Sequence, residues 1–302
     1  LSRFEETMID TEYWWTWKCK APNYQPHWRR PCTDPIVEWC NSHGVHVHGH
    51  PLVWGNRKTY PLWMQYVDLP EKEIKILDTL EFILPGSAHS KMADSYKHMS
   101  PQQVYDLLPT YIDNQENRSY ARIQEIMTHY QGRIDSWDVV NESAHDYGNG
   151  VQDPNAAMCK SAYGIMFSDY TYKSFKKAEE CNSGKAWLNI NDFVVDERYI
   201  AQVENLLQRG AKIDVIGSQM HLFQPQQCLD IAAGTFNADD KLVKPDTIRD
   251  FFSKIGVFGI PTCISEITIT SAGEDERGER VERFGRGGGL AAAGRRGGGT
   301  GR

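Results

Sequence analysis

The stretch I-D-S-W-D-V-V-N-E, Ile134 to Glu142, decides how this chain is read. It is a short apolar run, announced by Gly132 and stopped abruptly by two polar residues, Asn141 and Glu142. A run of that length bounded by a turn residue suits a buried strand. Four further segments have the same build: Val45–Trp54, Ala186–Asn191, Ile213–Met220 and Ile260–Ile267. Between the strands lie amphipathic stretches predicted helical near Val104–Tyr130, Asp169–Cys181, Asp196–Gln208 and Pro245–Ile255. Gly44, Gly132, Gly184, Gly210 and Gly259 each stand just before a strand, where a helix cap or turn is expected. Strands alternating with helices predict one continuous α/β domain with a parallel sheet.

The polar residues gather at the C-terminal ends of these strands: His50 and Trp54, Asn141 and Glu142, Asn191 and Asp192, Gln219 and His221, and Glu266. In a (β/α)₈ TIM barrel that edge is the active-site face. One Glu after an apolar strand is commonplace and is usually a solvated strand end. Two of them, flanked by His, Asn, Gln and Trp at the other strand ends, form a constellation. Two carboxylates meeting in one cleft suit glycoside hydrolysis. One is protonated and assists the leaving oxygen, while the other stays ionised and attacks the anomeric carbon; a retaining enzyme holds them roughly 5–5.5 Å apart.

Composition allows this reading and removes others. The 302 residues are 40% hydrophobic and 24% charged, enough for one large domain with a sizeable core. Nine Trp and fourteen Tyr make the chain rich in aromatics, most of which belong in a core, although exposed rings also stack on sugars. A formal net charge of −7 argues against a nucleic-acid partner, which needs a basic patch. No run of about 18 apolar residues predicts a membrane span. Seven Cys (19, 32, 40, 159, 181, 228 and 263) lack C-x-x-C spacing, so neither a zinc framework nor a small disulfide scaffold is expected.

G-H-P-L-V-W (Gly49–Trp54), W-D-V-V-N-E (Trp137–Glu142), L-N-I-N-D (Leu188–Asp192), I-G-S-Q-M-H (Ile216–His221) and I-S-E-I (Ile264–Ile267) together resemble family 10 glycoside hydrolases, the endo-β-1,4-xylanases. The five segments occur in that family's order and spacing, and the resemblance covers roughly residues 1–283. It implies a retaining endo-1,4-β-xylanase acting on xylan and xylo-oligosaccharides, with no cofactor, no metal and no membrane partner. It also implies a monomer in a secreted or extracytoplasmic location. Carried over, Glu142 is the acid/base and Glu266 the nucleophile. Asn141 and His50 bind the sugar beside the nucleophile, Trp54 floors that subsite, His221 hydrogen-bonds Glu266, and Gln219 lines the cleft.

Departures from the family pattern are as specific. E-E-T-M-I (Glu5–Ile9) resembles an N-terminal sugar-binding stretch in which Glu5 matches, but Glu6 replaces an Asn and Ile9 a Lys. Thr268 stands where an Asp usually partners the His at position 221. The family's first strand would precede Leu1, and its last strand would lie beyond about Glu282, so an incomplete barrel is expected. Residues 284–302 form a Gly/Arg-rich tail too poor in bulky apolar residues to fold; it is expected to be disordered, and its abrupt onset reads as an artefactual end. Two rival readings stand beside the xylanase. The first is a non-catalytic carbohydrate-binding relative on the same scaffold. The second is a metal-dependent barrel hydrolase, because His46, His48 and His50 alternate in H-V-H-G-H and share one strand face; the blander version has His46 and His48 filling the barrel interior. Asp146 and Tyr147 are candidates for aglycone-side contacts, and Tyr13, Trp14, Trp15 and Trp17 for a sugar platform.

Overall fold

The structure is a computed structural model that describes residues 33–54, 68–79, 100–146, 149–153, 169–221, 233–235 and 245–267. Glu5, the Tyr13–Trp17 aromatics, Tyr147, Thr268 and the Gly/Arg tail lie outside the described residues. The chain divides into two units. The larger comprises Leu1–Met220 and Val243–Ile267; the smaller comprises His221–Leu242 and Thr268–Arg302. Within the smaller, only His221 and residues 233–235 are described.

The larger unit begins with helix α1 (Asp34–Ser42), strands β1 (His48–Gly49) and β2 (Val53–Trp54), and helices α2 (Glu71–Thr79), α3 (Pro101–Leu107) and α4 (Pro109–His129). It continues with β3 (Ser136–Asn141), α5 (Tyr170–Cys181), β4 (Trp187–Asp192), α6 (Glu197–Gln208), β5 (Val215–Met220), α7 (Pro245–Ile255) and β6 (Thr262–Ile267). All strand pairs are parallel, in the order β1–β3–β4–β5–β6, with β2 also on β3. From β3 onward each strand pairs with the next in sequence. A doubly wound sheet would reverse its order at a switch point, whereas a one-way order is the arc of a barrel.

The core follows from the apolar runs. Strands β3, β4 and β5 are buried on both faces, as strands covered by crossover helices must be. Val139, Val140, Leu188 and Ile190 from the sheet pack in one cluster with Ile123 of α4, Phe175 of α5, Val203 of α6 and Phe251 of α7. Each such side chain contributes about 1.5–3 kcal/mol of hydrophobic stabilisation. Buried Tyr199 of α6 brings its hydroxyl to the carbonyl oxygens of Gly217 (2.7 Å) and Ile190 (3.2 Å), docking the helix on two strands. Asp169 and Asp196 cap α5 and α6 by accepting from Tyr172 N and Arg198 N. Gly210 (φ 78) ends α6, donating to Leu207 O while Ala211 donates to Leu206 O, the paired bonds of a Schellman turn. No helix among the described residues is long and apolar enough to cross a membrane.

Three expectations need correction. Val45–Trp54 is not one strand: it pairs with β3 only as β1 and β2, interrupted at His50–Leu52 around Pro51, which has no N–H for a ladder. The interruption is satisfied locally, since Leu52 N donates to Asp138 O and Leu52 O accepts from Arg122 of α4. The helix expected over Val104–Tyr130 is two, because Pro109 starts a new one. In the turn before β4, it is Lys185 (φ 58) rather than Gly184 that adopts the left-handed conformation.

Candidate active site

Polar side chains are unusually dense inside this sheet. Asp138, Asn141, Asn189, Asn191, Asp192, Ser218 and Gln219 are all buried on β3, β4 and β5. Burying so many polar groups is unfavourable unless they are paired, and here many bond across strands. Asn141 Oδ1 accepts from Asn191 Nδ2 and from Gln219 Nε2, both at 3.0 Å. Asn191 Nδ2 also reaches Glu266 Oε1 at 3.3 Å, and Ser265 donates its hydroxyl to Asn191 Oδ1. A chain of amides therefore runs from Gln219 of β5 to Asn141 of β3 and Asn191 of β4, and Asn191 meets the carboxylate on β6.

Glu142 lies at the same edge. Its backbone N–H donates to Asn191 O at 2.8 Å, continuing the ladder one residue past β3, and its φ is 54. A left-handed backbone costs a side-chain-bearing residue of order 1–3 kcal/mol and is kept where surrounding contacts over-determine it. Those contacts are visible. Trp54 at the end of β2 donates Nε1–H to Glu142 Oε2 at 2.8 Å. Just beyond, Ser143 pairs with Gln202 of α6, and Ala144 N donates to Asp192 Oδ2 at 2.8 Å. The other oxygen of Asp192 accepts from Val194 N, so this wholly buried carboxylate ties the end of β4 to the turn after Glu142. Burial pushes the Asp192 carboxyl up to about 6, against those two backbone bonds, with the nearby Glu142 charge adding to the rise.

A second cluster at this edge is built on Asp138. His50 Nδ1 lies 2.7 Å and His48 Nε2 3.0 Å from the same Asp138 Oδ2, and the second nitrogen of His50 lies 3.9 Å from Glu266 Oε1. Burial works to raise the Asp138 carboxyl, but the two imidazoles outweigh it and hold the group below its ordinary value. The converse applies to His48: desolvation lowers it, yet the bond to Asp138 leaves it raised.

The strand-end residues His50, Trp54, Asn141, Glu142, Gln219 and Glu266 are thus brought to one edge of one unit, together with Asn191 and Asp192. His221 belongs to the smaller unit, where it is exposed. Asp146 is buried and accepts the Tyr170 hydroxyl, so it supports the turn and is not placed to meet a sugar. His46 does not join His48 and His50 and does not fill the interior. Its side chain is 91% exposed beside Asp135, because the strand that would enforce the alternation begins only at His48. Among the described residues, the side chains that could jointly hold a metal ion are His48, His50 and Asp138. Sequence reasoning missed Asp138 because it sits inside an apolar run, and Ser265 because nothing distinguishes it locally. Cys40, Cys181 and Cys263 carry free thiols.

Comparison with known proteins follows the same lines. The sequence profile of glycosyl hydrolase family 10 matches residues 18–283. The chain belongs to glycosyl hydrolase family 10. Among curated relatives it is 27% identical over 212 residues to endo-1,4-beta-xylanase A of Halalkalibacterium halodurans, covering 67% of this chain and 44% of that protein. It is 24% identical over 248 residues to endo-1,4-beta-xylanase C of Paenibacillus barcinonensis, covering 78% of this chain and 18% of that one. The chain therefore spans less than half the length of these two relatives. Two solved structures share its fold. Xylanase B of Clostridium stercorarium superposes with a TM-score of 0.51 at 21% identity, covering 80% of this chain and 58% of the other. An intracellular xylanase of Thermoanaerobacterium saccharolyticum, solved with xylotriose, gives 0.53 at 18% identity, covering 85% and 64%. Family 10 members are (β/α)₈ barrels, and the one-way parallel arc β1–β6 is part of that barrel.

Proposed function

We propose that this family 10 chain is a retaining endo-1,4-β-xylanase that hydrolyses β-1,4-xylosidic bonds by double displacement. The observation that carries the reading is that one residue, Asn191, touches both candidate carboxylate residues: its carbonyl accepts from Glu142 N and its amide reaches Glu266 Oε1. Two acids from strands far apart in sequence are thereby set at one strand-end edge, the arrangement a glycosidase requires.

In the first step Glu142 gives its proton to the glycosidic oxygen as it leaves, while Glu266 attacks the anomeric carbon and forms a glycosyl-enzyme ester. In the second, Glu142, now ionised, takes a proton from water, whose oxygen attacks the same carbon and releases Glu266. Trp54 holds Glu142 by an indole hydrogen bond, and Asn191 and His50 stand beside Glu266. The substrate class, xylan and xylo-oligosaccharides, is supported by the relatives named above.

The test is hydrolysis of xylo-oligosaccharides and arabinoxylan beside Glu266→Ala and Glu142→Ala, with the product anomer followed by proton NMR. Expected are a β-anomer released first and turnover reduced by several orders of magnitude in both variants. Full retention of activity in either variant would overturn the assignment. Xylo-oligosaccharide binding without turnover by the folded parent would make the chain a carbohydrate-binding relative instead.

A further inference from the structure

The glycosidase reading leaves His48 without a role, yet it shares one carboxylate oxygen of Asp138 with His50. His48 of β1 and His50, just past the end of that strand, both reach Asp138 of β3, the strand with which β1 and β2 pair. Both imidazoles aim a nitrogen at a single oxygen of a carboxylate that is only 2% exposed. The far nitrogen of His48 is held by a hydrogen bond, and that of His50 faces a carboxylate. His48 Nδ1 lies 2.7 Å from Ser136 Oγ, and His50 Nε2 lies 3.9 Å from Glu266 Oε1. Metal-binding histidines are held in this way, with the far nitrogen oriented by a hydroxyl or carboxylate so that the near one faces the ion.

We infer that His48 Nε2, His50 Nδ1 and Asp138 Oδ2 form a binding site for a divalent transition-metal ion of the zinc class. Two imidazoles and one carboxylate are a donor set that suits zinc, whereas magnesium and calcium prefer oxygen throughout. The geometry is close to what such an ion needs. Metal–ligand bonds of about 2.0–2.2 Å put tetrahedral ligand atoms roughly 3.3 Å apart. The two nitrogens now stand 3.0 and 2.7 Å from Oδ2, so small ring rotations suffice. His48 is half-exposed, which gives an ion an entry path, and a fourth ligand position is left for water. An ion here would also orient His50 beside Glu266. The inference stands apart from the glycosidase reading, because its readout is binding of an ion.

The experiment is calorimetric titration of the chain with zinc chloride and, separately, magnesium chloride, followed by cobalt(II) absorption in the visible range. Expected are one zinc per chain, reversed by EDTA, no magnesium binding at the same concentrations, and a cobalt band displaced by zinc. His48→Gln weakens zinc at least tenfold and abolishes the cobalt band. Ser136→Ala, which removes no ligand, weakens zinc by roughly 10–100-fold. His46→Gln binds as the parent does. Absence of zinc binding, or equal affinity in the parent, His48→Gln and Ser136→Ala, would overturn the site and leave the triad a set of hydrogen bonds.

Discussion

Glu142 carries two demands on one residue, a left-handed backbone and a carboxylate held by an indole. The backbone conformation is bought by the bonds around it, from Asn191 O to the Asp192 anchor one residue beyond Ser143. The indole bond can be tested with Trp54→Phe, which keeps an aromatic ring at this position but removes the N–H together with the five-membered ring. As Glu142 gives up its proton in the first step it gains charge, and a hydrogen bond to a charged group is worth about 1.5–3 kcal/mol, so Trp54→Phe is expected to lower kcat/KM by roughly ten- to a hundredfold while leaving the fold intact. Steady-state hydrolysis of xylo-oligosaccharides checks this, and a change under twofold would place the bond outside the reaction. At this scale the sequence was readable where a strand stops. Asn141, Glu142 and Glu266 announce themselves because an apolar run ends on them. Asp138 does not, since its partners His48 and His50 lie 88–90 residues away and only strand register brings them together.

Gly217 shows how an element, rather than a residue, sets the site. It lies on β5 opposite Asn191 of β4, and a Cβ there would stand 2.7 Å from Asn191 Oδ1 and 3.2 Å from Ile190 O. The absence of a side chain lets Asn191 lie flat and serve Asn141 and Glu266 together. Gly217→Ala should push the amide off both. Overpacking of this kind costs about 1–3 kcal/mol, a fall in Tm of roughly 2–12 °C. Turnover should drop at least tenfold while the far-UV circular dichroism spectrum is unchanged. Full activity in a destabilised variant would show that Asn191 does not position Glu266. Elements were legible to the extent that their ends carry chemistry. Asp169 and Asp196, read as helix starts, are the caps of α5 and α6. Helices α1 and α2 escaped notice, although Pro35 and the acidic first turn at Glu71 and Glu73 mark their starts. Neither segment has the long apolar period that drew the eye elsewhere.

For the whole molecule, the polar layer under the cleft makes stability depend on pH in two opposite directions. Asp138, held low by its imidazoles, contributes stability above the ordinary Asp range near 3.9, and loses it as pH falls through its depressed folded value. Asp192 behaves in reverse. In the folded chain it keeps its proton up to about 6, whereas an unfolded Asp releases it near 3.9. Between those values the native state binds more protons than the unfolded one, so stability falls as pH rises. The contribution is fully present below about pH 4 and lost above about pH 6, and a gap of that width is worth roughly 2–3 kcal/mol. Asp192→Asn isolates it. The amide oxygen can accept from only one of Ala144 N and Val194 N, so the variant carries a pH-independent deficit of about 1–3 kcal/mol. It lacks the titration, however, so the stability gap between parent and variant should narrow as pH rises from 4.5 to 7. Urea midpoints at pH 4.5, 5.5 and 7 measure that gap. A gap constant across the series would mean that Asp192 is ionised throughout, with its two backbone donors outweighing burial. The carboxylate that braces the turn after Glu142 would then be a permanent negative charge beneath the candidate acid.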